Sequence, residues 1–372
     1  MEICGVARVG TRTKELVKRL QVGDIAVIDH RDLDEVGADS LASARVRAVI
    51  NAASSISGRY PNKGPALLLE RGIPLFDNAG PSVMSVADGE PLMVKDDLVY
   101  TSSGPIARVT PLDIATVETA LRRAQQNLSG TVEEFIDNTL VYAKKEKSFF
   151  VGELPLPPLR VNIRGRHALV VVRGLHYRQD LRTISSYIRE MRPVLIGVDG
   201  GADALVECGH MPDMIVGDMD SVSDSTLACG AELVVQAYLD GRAPGLDRVH
   251  QLGLQAHAIP APGTSEDLAL LIAYQLGAQL IVAVGTHSSV VDFLEKGRPG
   301  MASTFLVRLK IGSVLVDAKG VSQLYTGQPG ARHLLQIAVA ALIPIVLVGL
   351  LSDTLRQWLR LFALGVRLAL GY

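Results

Sequence analysis

Two short apolar runs in the middle of the chain, residues 194–198 and 214–216, each end in a turn of glycine and aspartate. The first run leads into Asp199-Gly-Gly-Ala and the second into Gly217-Asp-Met-Asp-Ser. Runs of this length and composition predict buried strands, and in open α/β sheets ligands bind outside the carboxyl ends of the strands. The two turns therefore predict a ligand site at one edge of a parallel sheet.

The carboxylates at these strand ends have the chemistry of a metal and phosphate site. Asp218 and Asp220 are two residues apart, so both side chains can project to the same side of an extended backbone. Carboxylate oxygens bind Mg²⁺, and neighbouring glycines let the backbone approach a phosphate closely. Asp-Gly-Gly and Gly-Asp are also ordinary turn sequences, so a plain loop is the alternative interpretation.

Strands and helices alternate along most of the chain, which is typical of α/β proteins. Residues 161–320 predict a parallel sheet with helices on both faces, and residues 1–110 predict a smaller α/β domain. Residues 111–160 predict two connecting helices and a stiff linker, Pro155-Leu-Pro-Pro158. The first connecting helix has an apolar seam that could pack on its own domain or against a second copy of the chain in a homodimer.

Charge and cysteine content exclude some classes of partner and location. Lys+Arg number 37 and Asp+Glu 39, a net charge of −2, which argues against bulk binding to nucleic acid. The three cysteines, Cys4, Cys208 and Cys229, have no metal-ligand spacing and are odd in number, which predicts reduced thiols in a cytoplasmic compartment. Residues 1–20 lack the apolar core of a secretory signal.

The C-terminal region, residues 331–372, predicts a membrane anchor. Residues 334–351 carry no charge and a single polar side chain, Gln336; eighteen helical residues span about 27 Å, close to the hydrocarbon thickness of about 30 Å. A buried core helix is the alternative. Residues 354–370 place three arginines on one face, which predicts an amphipathic interfacial helix or a second span. The expected location is the cell membrane, tail-anchored, with the N-terminal domains in the cytoplasm.

The second domain resembles the catalytic domain of thiamine pyrophosphokinases over about residues 165–295. The motifs of that family are Asp-Gly-Gly-Ala, Pro-Asp and Gly-Asp-x-Asp-Ser, followed by Lys-Thr-Asp at a helix start, where this chain has Ser265-Glu-Asp267. The resemblance implies that Mg²⁺ and the polyphosphate of ATP or ADP, or another phosphorylated ligand, bind at Asp199, Asp218, Asp220 and Asp267. It also implies ligand contacts at Gly200, Gly201, Gly217, Ser221, Gly285, Thr286 and His287.

Asp267 has an equally good structural interpretation. It follows Thr264 by three residues, the spacing at which a carboxylate and an N-cap hydroxyl form a capping box at the start of a helix.

Several positions depart from the kinase pattern. Ser288-Ser289 replace a glycine pair, Val290 an arginine, Phe293 a histidine and Ser265 the lysine, so cations that would meet a triphosphate are missing. The sequence therefore predicts a regulatory or scaffold protein with a degenerate site rather than an enzyme. The alternatives are an active ATP-dependent pyrophosphokinase acting on another acceptor beside His287 and Asp292, and a structural protein with a vestigial pocket.

Residues 1–105 faintly resemble the swivelling phosphohistidine domain of phosphoenolpyruvate-utilising enzymes, but no histidine lies between His30 and His167 to carry a phosphoryl group. The full arrangement is a swivel-like α/β domain, a helical connector, a thiamine-pyrophosphokinase-like parallel-sheet domain and a C-terminal transmembrane helix. This arrangement closely resembles the actinobacterial SteA family of cytokinetic-ring proteins. The resemblance implies a role in cell division and cell separation at the septum, together with a membrane-protein partner.

Overall fold

The computed structural model describes residues 2–287, 289–295, 301–319, 321, 339–344, 346–347 and 352–369. The chain divides into two compact units, Met1–Gly320 and Val321–Tyr372. The first unit contains two β-sheets joined by one long helix.

The first sheet has eight strands in the order β7-β6-β5-β1-β2-β3-β4-β8. Strands β1 to β4 are parallel, and the hairpin strands β5 to β7 and the strand β8 pair antiparallel at the two sides. The strands are β1 (Glu2–Gly10), β2 (Ile25–Ile28), β3 (Ala48–Asn51), β4 (Leu75–Asp77), β5 (Pro91–Lys95), β6 (Leu98–Thr101), β7 (Gly104–Arg108) and β8 (Thr110–Leu112). The helices are α1 (Thr13–Val17), α2 (Glu35–Ser43), α3 (Gly64–Glu70) and a 3₁₀ turn (Pro81–Ser85).

Strands β2, β3 and β4 of this sheet are buried on both faces. Along β2, Ile25 and Val27 pack into one apolar cluster with the hairpin strands, whereas Ala26 and Ile28 pack into another beneath the helices. Successive side chains of a strand point to opposite faces. A continuous apolar run is therefore what a strand covered on both sides requires.

A single helix of 38 residues, α4 (Ile114–Val151), connects the two sheets. Asp113 starts it by accepting a hydrogen bond from the backbone N–H of Thr116 at 2.7 Å. The prediction of two helices is wrong here, because the helix continues through Gly130. A glycine costs only about 1 kcal/mol in a helix interior, and α4 packs on both α3 and α12 (Ala302–Ile311).

The linker after α4 is hydrogen-bonded to the second domain. The backbone N–H and C=O of Leu154 both bond to the Gln275 side chain, at 2.7 and 2.8 Å. The carboxylate of Glu232, 2 % exposed, accepts the N–H groups of Arg160 and Val161 at 2.9 Å each. The proline-rich segment between these points therefore lies against the second domain.

The second sheet has seven strands in the order β13-β12-β11-β10-β9-β14-β15, and every neighbouring pair is parallel, which confirms the predicted parallel sheet. Its strands are β9 (His167–Val171), β10 (Val194–Val198), β11 (Met214–Gly217), β12 (Glu232–Ala237), β13 (His257–Pro260), β14 (Leu280–Val284) and β15 (Leu315–Asp317). Its helices are α5 (Tyr177–Thr183), α6 (Ser185–Met191), α7 (Gly201–Glu207), α8 (Asp224–Leu227), α9 (Pro244–Gln251), α10 (Ser265–Gln275), α11 (Val290–Glu295) and α12. The strand order reverses at β9, which is the switch point where α/β sheets bind ligands.

The C-terminal unit corrects the membrane prediction. Of residues 334–351, the structure describes only 339–344 and 346–347, and the rest of that predicted span lies outside the described residues. Within the described part of the chain, no helix is both long enough and apolar enough to cross a bilayer. Helix α13 (Asp353–Ala369) has 17 residues and carries Arg360 and Arg367, whereas a span needs about 20 predominantly apolar residues. The predicted transmembrane helix and the tail-anchored location are therefore wrong.

Candidate functional site

The carboxyl ends of parallel strands from both sheets line one cleft of about 2010 Å³. From the first sheet, residues 11–14 follow β1 and residues 29–30 follow β2. From the second sheet, the lining comes from the segments after β9, β10, β11, β12, β13 and β14. Because ligands collect at the carboxyl ends of parallel strands, the cleft combines two such edges in one space.

Asp199 and Asp218 form a pair of adjacent carboxylates in this cleft. Asp199 follows β10 in a left-handed conformation, with φ of 46°, and its Oδ1 accepts the backbone N–H of Asp218 at 2.8 Å. Gly217 makes this approach possible, because a Cβ at that position would lie 1.8 Å from Oδ1 of Asp199. The local backbone is therefore built around the Asp199 carboxyl group.

The pKa of Asp199 is raised to about 7, first because burial disfavours the charged form and second because the Asp218 carboxylate repels it. Two like charges held together favour either a proton or a cation between them. The pair therefore has the electrostatics of a cation site near neutral pH.

Asp220 lies at the exposed rim of the cleft. Its backbone N–H donates to Oδ1 of Asp218 at 3.0 Å, and its own Oδ2 lies 3.4 Å from Nη1 of Arg12. Asp199, Asp218 and Asp220 thus share one cleft, as the strand-end pattern predicts.

Asp267 is placed elsewhere and does not line the cleft. It is 1 % exposed and forms the capping box of α10: its N–H donates to the Thr264 hydroxyl at 3.2 Å, and its Oδ2 accepts the Thr264 N–H at 3.0 Å. The Thr304 hydroxyl also donates to Oδ2 at 3.0 Å, and burial raises the pKa of the carboxyl. The capping-box interpretation is confirmed.

Across the described ranges, no group of three or more histidine, cysteine, aspartate or glutamate side chains could hold a metal ion. The set of four carboxylates implied by the kinase resemblance is thus not assembled. A magnesium site at Asp199 and Asp218 stays a prediction. It fits the usual binding of Mg²⁺ by one or two carboxylates together with phosphate oxygens and water.

The other residues expected to contact the ligand divide into two groups. Gly200, Ser221 and His287 line the cleft, whereas the remaining four lie outside its lining: Gly201, Gly217, Gly285 and Thr286. Gly201 packs against the neighbouring strand, since a Cβ there would lie 1.9 Å from the carbonyl oxygen of Val171. The three glycines of this second group pack closely against neighbouring atoms instead of lining the cleft.

His287 is held in the cleft by a buried acid. Its Nδ1 lies 3.2 Å from Oε2 of Glu266, a residue that is 4 % exposed and also lies 3.6 Å from Nη2 of Arg308. Asp292, expected beside it in an acceptor pocket, pairs with Nζ of Lys319 at 2.5 Å.

Sequence reasoning missed the basic residues of the cleft. Arg12 and Lys14 come from the first domain, directly after β1. Arg173 and Arg178 come from the segment after β9, and both pair with Glu207, at 3.0 and 2.7 Å. The available signal was the polar sequence Thr11-Arg-Thr-Lys14 after Gly10, but it indicates a site only once β1 is known to be a parallel strand.

The C-terminal segment matches the family model described as the SteA-like C-terminal domain over residues 319–369. This match confirms the resemblance to the SteA family. Comparison with curated proteins gives no significant match.

Solved structures of two thiamine pyrophosphokinases resemble part of the chain. The enzyme from Bacillus subtilis is 21 % identical with a TM-score of 0.26, over 41 % of this chain and 60 % of the enzyme. The enzyme from Geobacillus thermodenitrificans is 20 % identical with a TM-score of 0.25, over 41 % of this chain and 57 % of the enzyme. The chain therefore spans less than two thirds of the length of either enzyme.

Proposed function

Because the chain carries a SteA-like C-terminal domain and opens two sheet edges onto one cleft, we propose that it is a regulatory or scaffold protein of cell division that binds a magnesium-bridged nucleotide there. The observation that carries the ligand proposal is the Asp199–Asp218 carboxylate pair. The role in division and a partner in the division machinery rest on the family resemblance alone.

A divalent cation would relieve the repulsion that raises the pKa of Asp199. Mg²⁺ prefers oxygen ligands and usually reaches proteins through one or two carboxylates plus substrate phosphates. Asp199 and Asp218 supply those carboxylates, and Gly200 lines the cleft beside them, where its backbone could approach a phosphate. A bound metal ion would neutralise negative charge on the ligand.

The replacement of a kinase-pattern cation favours binding without group transfer. Asp292 is engaged by Lys319, and Nδ1 of His287 is engaged by Glu266, so a substrate proton could reach only Nε2 of that ring. Ser265 stands where the kinase pattern has a lysine, and its hydroxyl donates to Oε1 of Gln236 at 3.0 Å. A bound ligand would then act on a partner by favouring the arrangement of the protein that binds the ligand more tightly.

Calorimetry of the full chain with ATP and ADP in the presence of Mg²⁺ tests this proposal. We expect binding by the wild type and at least tenfold weaker binding after Asp218→Ala, with a smaller loss after Asp220→Ala. Glu70→Gln is the charge control, because Glu70 is exposed and lies outside the cleft lining. The proposal would be refuted if the wild type does not bind, or if both aspartate variants bind as tightly as the wild type. Release of AMP from ATP on adding thiamine would instead support a pyrophosphokinase.

A further inference from the structure

We propose that Arg12 and Lys14 of the first domain bind the phosphate chain of the ligand, so that the site is completed by both domains and selects a di- or triphosphate over a monophosphate. This inference rests on the proposed function and names its ligand class. Its basis is the placement of two cations beside the carboxylate pair, on the facing wall of the same cleft.

The two cations project from a firmly anchored turn. Thr13, between them, is buried, and its hydroxyl lies 3.0 Å from Nδ1 of His30 at the end of β2. Leu16 in the next turn is fully buried under the first sheet. Arg12 and Lys14 are exposed on the cleft side of this turn. Their backbone positions are therefore fixed, and only their side chains need to adjust to a ligand.

Both cations already contact the rim of the second domain. Nη1 of Arg12 lies 3.4 Å from Oδ2 of Asp220, and Nζ of Lys14 donates to the Ser221 hydroxyl at 3.1 Å. Within the described residues, Lys14 has no carboxylate within 4.0 Å. Because Asp220 and Ser221 follow Asp218 closely in the chain, the cations reach the rim beside the proposed magnesium site.

A phosphate is a better partner for these cations than the groups they now contact. The Arg12–Asp220 pair is weak because both side chains are largely exposed, at 67 % and 49 %, and Lys14 meets only a neutral hydroxyl. Phosphate oxygens carry more charge and accept charge-assisted hydrogen bonds, and an arginine can bind two of them at once. The first domain would thereby supply cations that the second domain lacks.

The test compares MgATP, MgADP and AMP by calorimetry on the full-length chain. We expect Arg12→Ala and Lys14→Ala each to weaken MgATP binding about tenfold, to weaken MgADP comparably and to change AMP binding less than twofold. Lys95→Ala is the matched control, since it removes one exposed positive charge outside the cleft lining. Thermal unfolding of each variant should match the wild type, because both cleft cations are exposed.

The outcomes separate this inference from the proposed function. If Asp218→Ala weakens MgATP binding but Arg12→Ala and Lys14→Ala do not, the inference falls and the proposed function stands. Equal losses for AMP and MgATP, or an equal loss in Lys95→Ala, would also overturn it, because the effect would not depend on the phosphate chain. If the wild type binds none of the three nucleotides, both fall together.

Discussion

Replacing Asp267 with alanine is expected to lower the free energy of unfolding by about 2–4 kcal/mol without abolishing ligand binding. The loss of a capping interaction costs about 1 kcal/mol. The variant also leaves the Thr264 N–H and the Thr304 hydroxyl buried without their acceptor, and an unsatisfied buried donor costs about 1–3 kcal/mol. The variant also removes the cost of burying the carboxyl group, whose pKa is raised by burial. The net loss of stability is therefore smaller than the sum of these costs.

Urea unfolding followed by circular dichroism measures this change, because the single tryptophan, Trp358, lies in the C-terminal unit and would not report on α10. Asp218→Ala is the matched control. It removes the like charge beside Asp199, so its stability at pH 8 should equal or exceed that of the wild type while its MgATP affinity falls. If Asp267→Ala unfolds like the wild type yet loses MgATP binding as Asp218→Ala does, Asp267 is a metal ligand and the capping explanation fails.

Three further variants test other parts of the structure. Because the pKa of Asp199 is raised to about 7, the folded protein keeps a proton that the unfolded chain has released; stability should fall, and Mg²⁺ affinity rise, as pH increases from 6 to 8. In Asp199→Asn, the melting temperature should fall less between pH 6 and pH 8 than in the wild type. Gly217→Ala should cost more stability than Gly230→Ala, since both have positive φ but only the former places its Cβ against Asp199; equal midpoints in urea would contradict this. Glu232→Gln should lower stability by about 1–2 kcal/mol, because the amide replaces with a donor one of the two oxygens that accept the linker N–H groups, and an unchanged urea midpoint would contradict this attachment of the linker.

The second sheet could be predicted because its signals are local. The run at residues 194–198 is β10 as observed, and parallel pairing alone brings the ends of β10 and β11 to one edge. Asp199 and Asp218 therefore meet where the motif spacing indicates. Asp267 was different: its spacing from Thr264 allowed a cap or a metal ligand, and the structure shows the cap together with a contact to Thr304 that no local pattern encodes.

The basic wall of the cleft could not be predicted because it depends on contacts between distant parts of the chain. β1 is the central strand of its sheet, yet its sequence mixes charged, glycine and apolar residues, so no apolar run marks it. Arg12 meets Asp220 across 208 positions of sequence, and neither local propensity nor periodicity encodes such a distance. The C-terminal prediction rested on hydropathy, which measures composition, whereas a membrane span also needs a helix of about 20 apolar residues; no helix in the described part of the chain meets that requirement.

Helix α4 has a consequence for how far apart the two walls of the cleft stand. Within about two turns it contacts the first domain, through Asn127 and Thr131 bonding to the Gly58 and Arg59 carbonyls, and the second domain, through Phe135 stacked 6.1 Å from Phe293. One inserted residue after Thr131 would turn everything downstream by about 100° and swing that ring off its partner. The distance between the two walls of the proposed ligand site therefore depends on the helical register of α4.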